Sequence, residues 1–230
     1  FVNEMLNYHG QSFENKRVVI SGSGNVAIYA AEKAIDYGAK VVAMCDSSGY
    51  IVDENGIDLS IVKQIKEVER NRIKEYIARK EGAQYFEGQK GIWTVKCDIA
   101  LPCATQNDIN LDDAKILVEN GTTVIGEGAN MPCTNEAVKY FLEKGLLVAP
   151  AKAANAGGVA TSALEMSQNS MRLSWTFEEV DEKLQIIMKN IFKSSKDAAE
   201  NYGAPGNYVI GANIAGFLKV ADAMVSQGIV

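Results

Sequence analysis

The hydrophobic positions of the chain follow two different patterns, which meet near Pro150. Before Pro150, short continuous apolar runs alternate with longer stretches in which apolar residues recur at helical spacing. A continuous apolar run between helices is typical of a parallel strand that is buried on both faces. Strands are therefore predicted at residues 17–20, 40–45, 97–101, 123–125 and 146–149, and helices at 25–37, 59–80, 111–119 and 135–143. This alternation predicts an α/β fold with a doubly wound, mostly parallel Rossmann-like sheet.

After Pro150 the strand-like runs cease, and three helices are predicted at about 155–174, 178–201 and 208–227. An apolar stripe runs along the second of them, at Val180, Leu184, Ile187 and Ile191. We therefore expect a Rossmann-like core at residues 1–150, followed by a C-terminal helical segment at 151–230 that packs on it.

Composition and charge exclude several classes of protein. Apolar residues make up 47% of the chain and charged residues 23%, as in an ordinary globular protein. The chain has 23 basic and 29 acidic residues, which gives a net charge of −6. This charge argues against nucleic acid or an anionic membrane as a partner, because both require a dominant basic face. No apolar run approaches the roughly 18 residues of a membrane span, so we expect no membrane segment.

The cysteines and the single histidine offer little chemistry. The four cysteines occur singly, without the close pairs of a structural zinc site, so no metal is expected. Dispersed cysteines in apolar runs are typical of small buried hydrophobic residues, and they indicate a reducing cytoplasm. They are Cys45, Cys97, Cys103 and Cys133. The only histidine, His9, lies near one end, so a Ser-His-Asp mechanism has a single, poorly placed candidate base.

The junction between the first predicted strand and its helix carries a glycine-rich motif. The segment from Gly22 to Ala27, GSGNVA in sequence, matches the GxGxxG/A pattern of dinucleotide-binding turns. Gly22 permits the tight turn, and Gly24 lets the backbone approach a pyrophosphate. The helix that follows directs its free N–H groups at the phosphates. The alternative is an ordinary glycine turn, but the strand before the motif and the helix after it favour dinucleotide binding.

Asp46 follows the second predicted strand, where a carboxylate can hydrogen-bond the adenosine ribose of a dinucleotide. The alternative is a turn residue, since Asp-Ser-Ser-Gly is also favourable turn chemistry. Ser47 and Ser48 add hydroxyl groups that suit a 2′-phosphate. Seven basic residues lie between positions 63 and 80. One interpretation is a solvated helix face, with Glu75 and Arg79 as an i,i+4 pair. The other is that some of these cations bind the 2′-phosphate. NADP is therefore preferred to NAD, and NAD stays open.

Two further segments follow the ends of predicted strands, where ligands bind in this architecture. One is CATQN at 103–107 and the other is GEGAN at 126–130. Small residues there admit a flat ring, and amide side chains can fix a ribose and a carboxamide. Helix N-caps are the alternative, with Asn107 or Asn110 before one helix and Thr134 before the next. For any single asparagine the two interpretations are equally supported.

Taken together, six segments resemble the glutamate dehydrogenase family, most closely its hexameric microbial NAD(P)-dependent branch. They are SGSGNVA at 21–27, DSSG at 46–49, LPCATQN at 101–107, EGANMP at 127–132, AKAANAGGVATS at 151–162 and GANIAGFLKVADAM at 211–224. The resemblance spans essentially the whole chain, and the run at 151–169 separates this family from dehydrogenases that share only the glycine turn. It implies the C-terminal cofactor-binding domain of an enzyme that interconverts L-glutamate and 2-oxoglutarate with NAD(P).

The resemblance also implies roles for particular residues of this chain. The residues implied at the pyrophosphate are Gly22, Ser23, Gly24, Asn25 and Val26, and those at the adenosine ribose are Asp46 and Ser47. The residues implied near the nicotinamide are Ala104, Thr105, Gln106, Gly128 and Asn130, with Asn155 where cofactor and substrate meet. Val159 and Ser162 match positions that contact the glutamate side chain. Members with Asp-Ser-Ser-Gly after the second strand are often NADP-linked, which further favours NADP.

The same resemblance implies what the chain lacks. The family's N-terminal domain supplies lysines and an aspartate that activate substrate and relay protons, and none of its motifs occurs here. The first residues have helical spacing and stop at Gly10, so the chain is expected to start within an element. We therefore expect a piece of a longer, homohexameric enzyme, inactive alone and without catalytic residues. Apolar surface is expected to be uncovered near 156–175 and 211–224, unless those helices close on each other.

Two alternatives remain for the function. A dehydrogenase for another amino acid, of the leucine or phenylalanine type, would share the architecture and differ in its side-chain pocket. A glutamate site needs hydrogen-bonding or cationic groups for the γ-carboxylate, and Ser162 is one of them. A non-catalytic dinucleotide-sensing module would keep the glycine turn and Asp46 but would have no reason to keep Val159 and Ser162. The oligomeric state of this chain alone and any allosteric control stay open.

Overall fold

A seven-stranded sheet forms the centre of the fold. The computed structural model of the chain describes residues 1–228, so the last two residues of the predicted 151–230 segment lie outside the described part. The strands are β1 (Arg17–Ser21), β2 (Lys40–Cys45), β3 (Gly49–Val52), β4 (Gln84–Glu87), β5 (Ile99–Pro102), β6 (Val124–Gly126) and β7 (Leu147–Ala149). All five predicted strands are present, with bounds close to those that the sequence indicates.

The sheet has the connectivity of a doubly wound fold. The strand order is β4-β3-β2-β1-β5-β6-β7, so the winding reverses between β1 and β5. β1 is parallel to both β2 and β5, and β5 is parallel to β6. These strands are buried almost throughout, as expected for strands covered on both faces. The predicted doubly wound, mostly parallel sheet is therefore confirmed. In such a sheet, ligands bind in the crevice outside the carboxyl ends of β1 and β5.

Two antiparallel strands at one edge of the sheet are missing from the sequence prediction. β3 pairs antiparallel with β2, and β4 pairs antiparallel with β3. The segment directly after the second strand therefore contains β3, whose four residues GYIV are too few to establish an alternating pattern. Tyr50 on β3 stacks on Phe86 of β4, with ring centroids 5.0 Å apart, which stabilises this edge.

The helices before β7 are α1 (Val2–Tyr8), α2 (Asn25–Asp36), α3 (Leu59–Lys63), α4 (Leu111–Glu119) and α5 (Asn135–Glu143). Local chemistry explains where several of them start. α4 begins with a capping box in which Asn110 and Asp113 exchange hydrogen bonds, and Thr134 caps α5. The N-cap interpretation is therefore right for Asn110 and Thr134. It is wrong for Asn107, which has a φ of +54° in the loop before α4.

The long helix predicted at 59–80 is wrong. α3 continues into a π-helical turn at Gln64–Val68, and the chain then breaks before a 3₁₀ helix at Ile73–Ala78. Arg70 at the break has a φ of +56°, a left-handed conformation that ends a helix. The N–H of Ile73 donates to Asp46 at 2.8 Å, and Lys66 donates to the carbonyl of Asn71 at 2.9 Å. One tertiary hydrogen bond and one side-chain bond within the segment therefore replace the bonds of a continuous helix.

The chain divides into two compact units, Leu6–Val148 on the one hand and Phe1–Met5 with the chain from Ala149 onward on the other. The helices of the second unit are α6 (Ala151–Ala154), α7 (Ala156–Met171), α8 (Phe177–Asn201) and α9 (Tyr208–Gln227). The rings of Phe1, Phe192 and Tyr208 pack together in this unit, with centroids 5.3–6.3 Å apart. The predicted C-terminal helical segment is therefore present. The division of the chain into two domains at residue 150 stays a prediction.

α8 and α9 cross at a very short distance. A Cβ built on Gly211 of α9 would lie 2.0 Å from the carbonyl oxygen of Ser195 on α8, and 3.0 Å from the Cβ of Ala199. Glycine at this position and small residues on the facing helix therefore allow the two backbones to touch. This crossing fixes the arrangement of the C-terminal helices.

Apolar side chains stay exposed on the C-terminal helices. Phe217, Val220 and Met224 occur at i, i+3 and i+7 of α9, on one face, and Phe217 is 66% exposed. Val159 and Met166 on α7 are also exposed. The expected uncovered apolar surface is therefore present, and these helices do not close on each other at those side chains. We call Phe217, Val220 and Met224 the α9 apolar face.

One helix among residues 1–228 is long and apolar enough to cross a membrane, judged by length and composition only. It is α9, whose best 18-residue window has a mean hydropathy of 1.4. The expectation that no segment approaches a membrane span is therefore wrong for α9. A single helix of this kind is weak evidence, because helices of soluble proteins can pass the same test.

Candidate functional site

The glycine turn lies at the carboxyl end of β1, beside β5. Gly22 has a φ of +93°, and a Cβ on it would lie 3.2 Å from the Cα of Ala104, so conformation and space both require glycine. Gly24 has a φ of −85°, and a Cβ built on it would meet nothing within 4 Å. The backbone at Gly24 therefore borders open space, as the approach of a pyrophosphate requires.

The helix that starts at this turn has no capping side chain among the described residues. α2 begins after Gly24 and carries no acidic residue in its first turn. By contrast, α3, α4 and α5 are capped by Asp58, Asn110 and Thr134. The N–H groups at the start of α2, together with the positive end of the helix dipole, therefore suit an anionic ligand.

A cavity of about 430 Å³ opens at the ends of β1, β2 and β5. Its size falls in the range of small-molecule sites, roughly 300–1,000 Å³. Nine of the residues implied at the cofactor line it, namely Gly22, Ser23, Gly24, Asn25, Val26, Asp46, Ser47, Ala104 and Thr105. Gln89 and Cys103 also line it and were not predicted. Cys103 belongs to the CATQN segment, whereas Gln89 carries no signal in the sequence, because a 3₁₀ helix after β4 brings it there.

Asp46 at the end of β2 is held by hydrogen bonds from the protein itself. One oxygen accepts from the N–H and the hydroxyl of Ser48, at 2.9 and 2.6 Å, and the other accepts from the N–H of Ile73 at 2.8 Å. The ammonium of Lys66 lies 3.6 Å from the same carboxylate. Burial alone raises the pKa of Asp46, but these hydrogen bonds and Lys66 outweigh it and hold the pKa below its ordinary value. Asp46 thus ties the segment at Ile73 to the end of β2.

Ser47, the next residue, contacts a cation that the sequence did not single out. The guanidinium of Arg72 donates to the Ser47 hydroxyl at 2.6 Å, at the rim of the cavity that Ser47 lines. Arg72 precedes Ile73, so the bond between Ile73 and Asp46 also places Arg72. The pair offers a hydroxyl and a guanidinium, the groups that bind a phosphate ester well.

The other basic residues between 63 and 80 have mostly structural partners. Lys63 is paired with Glu32, and Lys80 lies 3.8 Å from Asp58. Arg79 binds Glu69 with two hydrogen bonds, at 2.8 and 2.5 Å, which hold the pKa of Glu69 at about 2. The i,i+4 pair of Glu75 and Arg79, which belongs to the solvated-face alternative, is replaced in the described chain by the pair of Arg79 and Glu69, because the break in the helix turns Arg79 toward Glu69. Within residues 1–228, Arg70 and Lys74 have neither a hydrogen-bond nor an ion-pair partner.

The loops after β5 and β6 are joined by backbone hydrogen bonds. The N–H of Gly128 donates to the carbonyl of Pro102 at 3.1 Å, and the N–H of Asn107 donates to that of Met131 at 3.0 Å. A Cβ on Gly128 would lie 2.5 Å from the sulfur of Cys103, so Gly128 lies against a residue of the cavity wall. Gln106 and Asn130 are both exposed, and neither is among the residues that line the cavity.

The last three predicted residues belong to the C-terminal unit. Asn155 lies between α6 and α7, and Val159 and Ser162 lie one turn apart on α7. Val159 is 72% exposed, and the Ser162 hydroxyl donates to the carbonyl of Gly158 at 3.4 Å. The side chains of Val159 and Ser162 are therefore on the same side of α7, near its start.

The cysteines near the cavity are inert as nucleophiles. Burial raises the pKa of Cys45 to about 12 and that of Cys103 to about 12, so both thiols stay protonated at neutral pH. The sulfur of Cys45 accepts a hydrogen bond from the N–H of Gly22 at 3.0 Å, which helps to hold the glycine turn. All four cysteines are buried and unpaired. In the part of the chain that the structure describes, no group of three or more His, Cys, Asp or Glu side chains could hold a metal ion.

A comparison with protein families identifies the group to which this sequence belongs. The model of the Glutamate/Leucine/Phenylalanine/Valine dehydrogenase family matches residues 1–228. The chain belongs to this family. The resemblance to glutamate dehydrogenases that the sequence motifs indicate is thereby confirmed.

Relatives within this dehydrogenase family align over the whole chain. The chain is 54% identical over 233 residues to the glutamate dehydrogenase of Bacteroides thetaiotaomicron. It is 53% identical over 236 residues to the NADP-specific glutamate dehydrogenase of Salmonella typhimurium. Each alignment covers 100% of this chain and 52% of the relative. The crystal structure of Plasmodium falciparum glutamate dehydrogenase matches with a TM-score of 0.94 at 45% identity, over 100% of this chain and 50% of that one. The chain thus spans about half the length of these relatives.

Proposed function

We propose that this chain is the NADP(H)-binding half of a glutamate dehydrogenase. The observation that carries the proposal is the cavity at the point where the strand order reverses. The backbone of Gly24 borders open space there, and Ser47, which also lines the cavity, is hydrogen-bonded to Arg72. The names of the relatives support the same function. The whole enzyme converts L-glutamate, NADP⁺ and water into 2-oxoglutarate, ammonium, NADPH and a proton, and runs the reverse reaction.

The residues present fit a dinucleotide along the length of the cavity. The N–H groups at the start of α2 bind the pyrophosphate, and Gly24 lets it approach the backbone. Ser47 and Arg72 bind the 2′-phosphate at the adenosine end. The loops that carry Ala104, Thr105 and Gly128 lie beside the nicotinamide half. Bound NADP⁺ would supply the acceptor for a hydride from the α-carbon of the amino acid, and this chain would orient that acceptor.

Asp46 serves this site by holding Arg72. Because its carboxylate accepts three hydrogen bonds from Ser48 and Ile73 and faces Lys66, it fixes the segment that presents Arg72 to Ser47. An acidic residue at the end of β2 is therefore compatible with a 2′-phosphate, since internal hydrogen bonds and a cation compensate its charge.

The substrate side involves Asn155 at the junction of cofactor and amino acid, and Val159 and Ser162 at the glutamate side chain. Proton transfer and activation of water require a lysine and a carboxylate placed at the substrate, and we assign these groups to the other half of the enzyme. Lys152 is the lysine nearest in sequence, and it is hydrogen-bonded to Asn213 instead. The chain alone should therefore bind NADP(H) without oxidising glutamate.

Calorimetric titration of the chain with NADPH and NADH tests the proposed cofactor. We expect NADPH to bind more tightly, and Arg72→Gln to weaken NADPH binding about tenfold with little effect on NADH, because a charge-assisted phosphate contact is lost. Arg70→Gln is the matched control, since Arg70 has no partner in the described chain. The NADPH preference should fade at high salt, which screens the contact. Equal affinity for both cofactors in the parent would contradict the choice of NADP.

The substrate and the assembly are tested on the whole enzyme. Assays with glutamate, leucine and phenylalanine should show turnover with glutamate, and a preference for leucine or phenylalanine would favour the other branches of the family. We also propose that the whole enzyme is a homohexamer, which sedimentation analysis tests. A cytoplasmic location is proposed from the four unpaired, buried cysteines, and cell fractionation tests it.

A further inference from the structure

Ser21 and Asp108 form a buried pair beside the cavity that the roles assigned above leave unused. Ser21 is the last residue of β1 and has no exposed surface, and Asp108, in the loop after β5, is 7% exposed. The hydroxyl of Ser21 donates to a carboxylate oxygen of Asp108 at 2.5 Å. A carboxyl group is costly to bury, so its place here calls for a purpose beyond packing.

The oxygen of Ser21 also accepts two hydrogen bonds from the backbone. The N–H groups of Cys103 and Ala104 donate to it, at 3.0 and 3.2 Å. A hydroxyl group has one hydrogen and two acceptor positions, so these contacts use its full capacity. Because the two amides can only donate, the hydroxyl hydrogen must point at Asp108. Asp108 therefore fixes the orientation in which Ser21 receives both amides.

These hydrogen bonds join two walls of the cavity. Gly22, the neighbour of Ser21, lies in one wall, and Cys103 and Ala104 lie in the other. The walls are close, because a Cβ on Gly22 would lie 3.2 Å from the Cα of Ala104 and 3.3 Å from the carbonyl oxygen of Cys103. Ser21 thus links the glycine turn to the loop after β5 at their point of nearest approach.

We propose that Ser21 and Asp108 are positioning residues that hold the loop after β5 against the glycine turn, in the place where this loop receives the nicotinamide half of the cofactor. The proposal rests on the proposed function. Asp108 is not among the residues that line the cavity and acts through Ser21. The adenosine half of the cofactor, at Ser47 and Arg72, does not depend on this link.

Binding of a whole cofactor and of its adenosine half distinguishes positioning from general stability. The probes are NADPH and adenosine 2′,5′-bisphosphate, which lacks the nicotinamide. Ser21→Ala and Asp108→Ala should each raise the Kd for NADPH about tenfold, since two amides lose a fixed acceptor. Both variants should bind the bisphosphate within about twofold of the parent, which also shows that they are folded.

Two further variants act as controls in the same titrations. Asp108→Asn keeps an oxygen that can accept from Ser21, so it should bind NADPH within about threefold of the parent. Asp112→Asn changes a carboxylate four residues away that pairs with Lys115 at 3.0 Å, and it should leave both affinities unchanged.

Two spectroscopic readouts report on the loop itself. The rise in fluorescence of the reduced nicotinamide on binding should be smaller in Ser21→Ala and Asp108→Ala than in the parent. Without any ligand, the amides of Cys103 and Ala104 should exchange hydrogen at least about tenfold faster in Ser21→Ala, because they lose their acceptor.

Unchanged NADPH affinity in both alanine variants overturns the proposal, and so does an equal loss of affinity for NADPH and the bisphosphate. If the parent binds neither probe, the proposed function is wrong. In that case the exchange rates of Cys103 and Ala104 still show whether Ser21 holds the loop: parental rates in Ser21→Ala overturn the link as well.

Discussion

Gly22 and Gly24 are two residues apart, and the fold requires different things of them. Gly22 has a left-handed backbone and a neighbour within van der Waals contact, whereas Gly24 has an ordinary backbone next to open space. Substitution by alanine therefore separates the stability of the turn from its capacity to receive a ligand.

We expect Gly22→Ala to lower the free energy of unfolding by about 1–3 kcal/mol, because alanine is strained at a φ of +93°. Gly24→Ala should cost less than about 1 kcal/mol, yet its methyl group occupies the space that the pyrophosphate needs, so NADPH binding should fall more than about tenfold. Urea denaturation and calorimetric titration of the two variants check this contrast. Tight NADPH binding by Gly24→Ala would argue against a pyrophosphate at this turn.

Asp46→Asn should destabilise the chain by about 1–2 kcal/mol at pH 7, since one amide oxygen cannot replace two carboxylate oxygens. The pKa of Asp46 is lowered in the folded chain, so its contribution is fully present above the unfolded pKa of about 3.9 and is lost as the pH falls through the lower folded value. Denaturation curves of parent and variant should therefore converge in acid. A difference that stays constant down to about pH 2 would contradict this assignment.

The site residues show what can and cannot be predicted at this scale. The glycine turn and Asp46 follow from local motifs, because each carries its own backbone requirement within a few positions. Arg72 could not be selected from seven nearby cations, since its contact with Ser47 depends on a break in the helix and on the bond from Ile73 to Asp46. Gln89 reaches the cavity only through the path of the chain after β4.

At the scale of elements, the crossing of α8 and α9 depends on one glycine. Gly211 allows contact with the backbone of Ser195, whereas a Cβ on Gly216 of the same helix would meet nothing within 4 Å. Two alanine substitutions five residues apart should therefore have opposite effects.

Gly211→Ala should destabilise the chain by about 3 kcal/mol, because its Cβ would lie 2.0 Å from a backbone oxygen and the helices must separate. Gly216→Ala should stabilise it by up to about 1 kcal/mol, since alanine favours a helix over glycine. Urea denaturation of both variants measures the two effects. Similar stability of Gly211→Ala and the parent would show that the helices do not cross as closely as described.

Most elements could be predicted from sequence, and the exceptions share a physical reason. The central strands and α2, α4, α5 and α9 have long periodic patterns or clear caps, so local signals suffice. β3 and β4 have four residues each and owe their conformation to pairing with neighbours. The segment at 59–80 has a helical composition, but hydrogen bonds to Asp46 and Asn71 hold it in a different conformation.

At the scale of the whole molecule, the α9 apolar face is an exposed apolar surface of three large side chains within residues 1–228. Exposed apolar patches on soluble chains commonly mark contact with another protein segment. The relatives are about twice as long, so we propose that the other half of the enzyme covers this face.

The chain alone should therefore bind a hydrophobic dye and associate at higher concentration. Phe217→Gln combined with Met224→Gln should reduce both effects, because it removes apolar area from one face of α9. Val68→Gln is the control, since Val68 is 68% exposed and belongs to the other unit. Dye fluorescence and light scattering measure the change. Equal reduction by the control would mean that the α9 apolar face has no special role.

The internal bonding of Asp46 also bears on how coenzyme preference diverges among related enzymes. Its carboxylate holds the rim of the cavity through Ser48 and Ile73, whereas the contact that we propose for the 2′-phosphate comes from Ser47 and the exposed Arg72. The residue that holds the structure of the rim and the residue proposed to determine cofactor preference are therefore different side chains. On this proposal, replacing the surface Arg72 would change the preferred redox carrier and leave the architecture of the pocket in place.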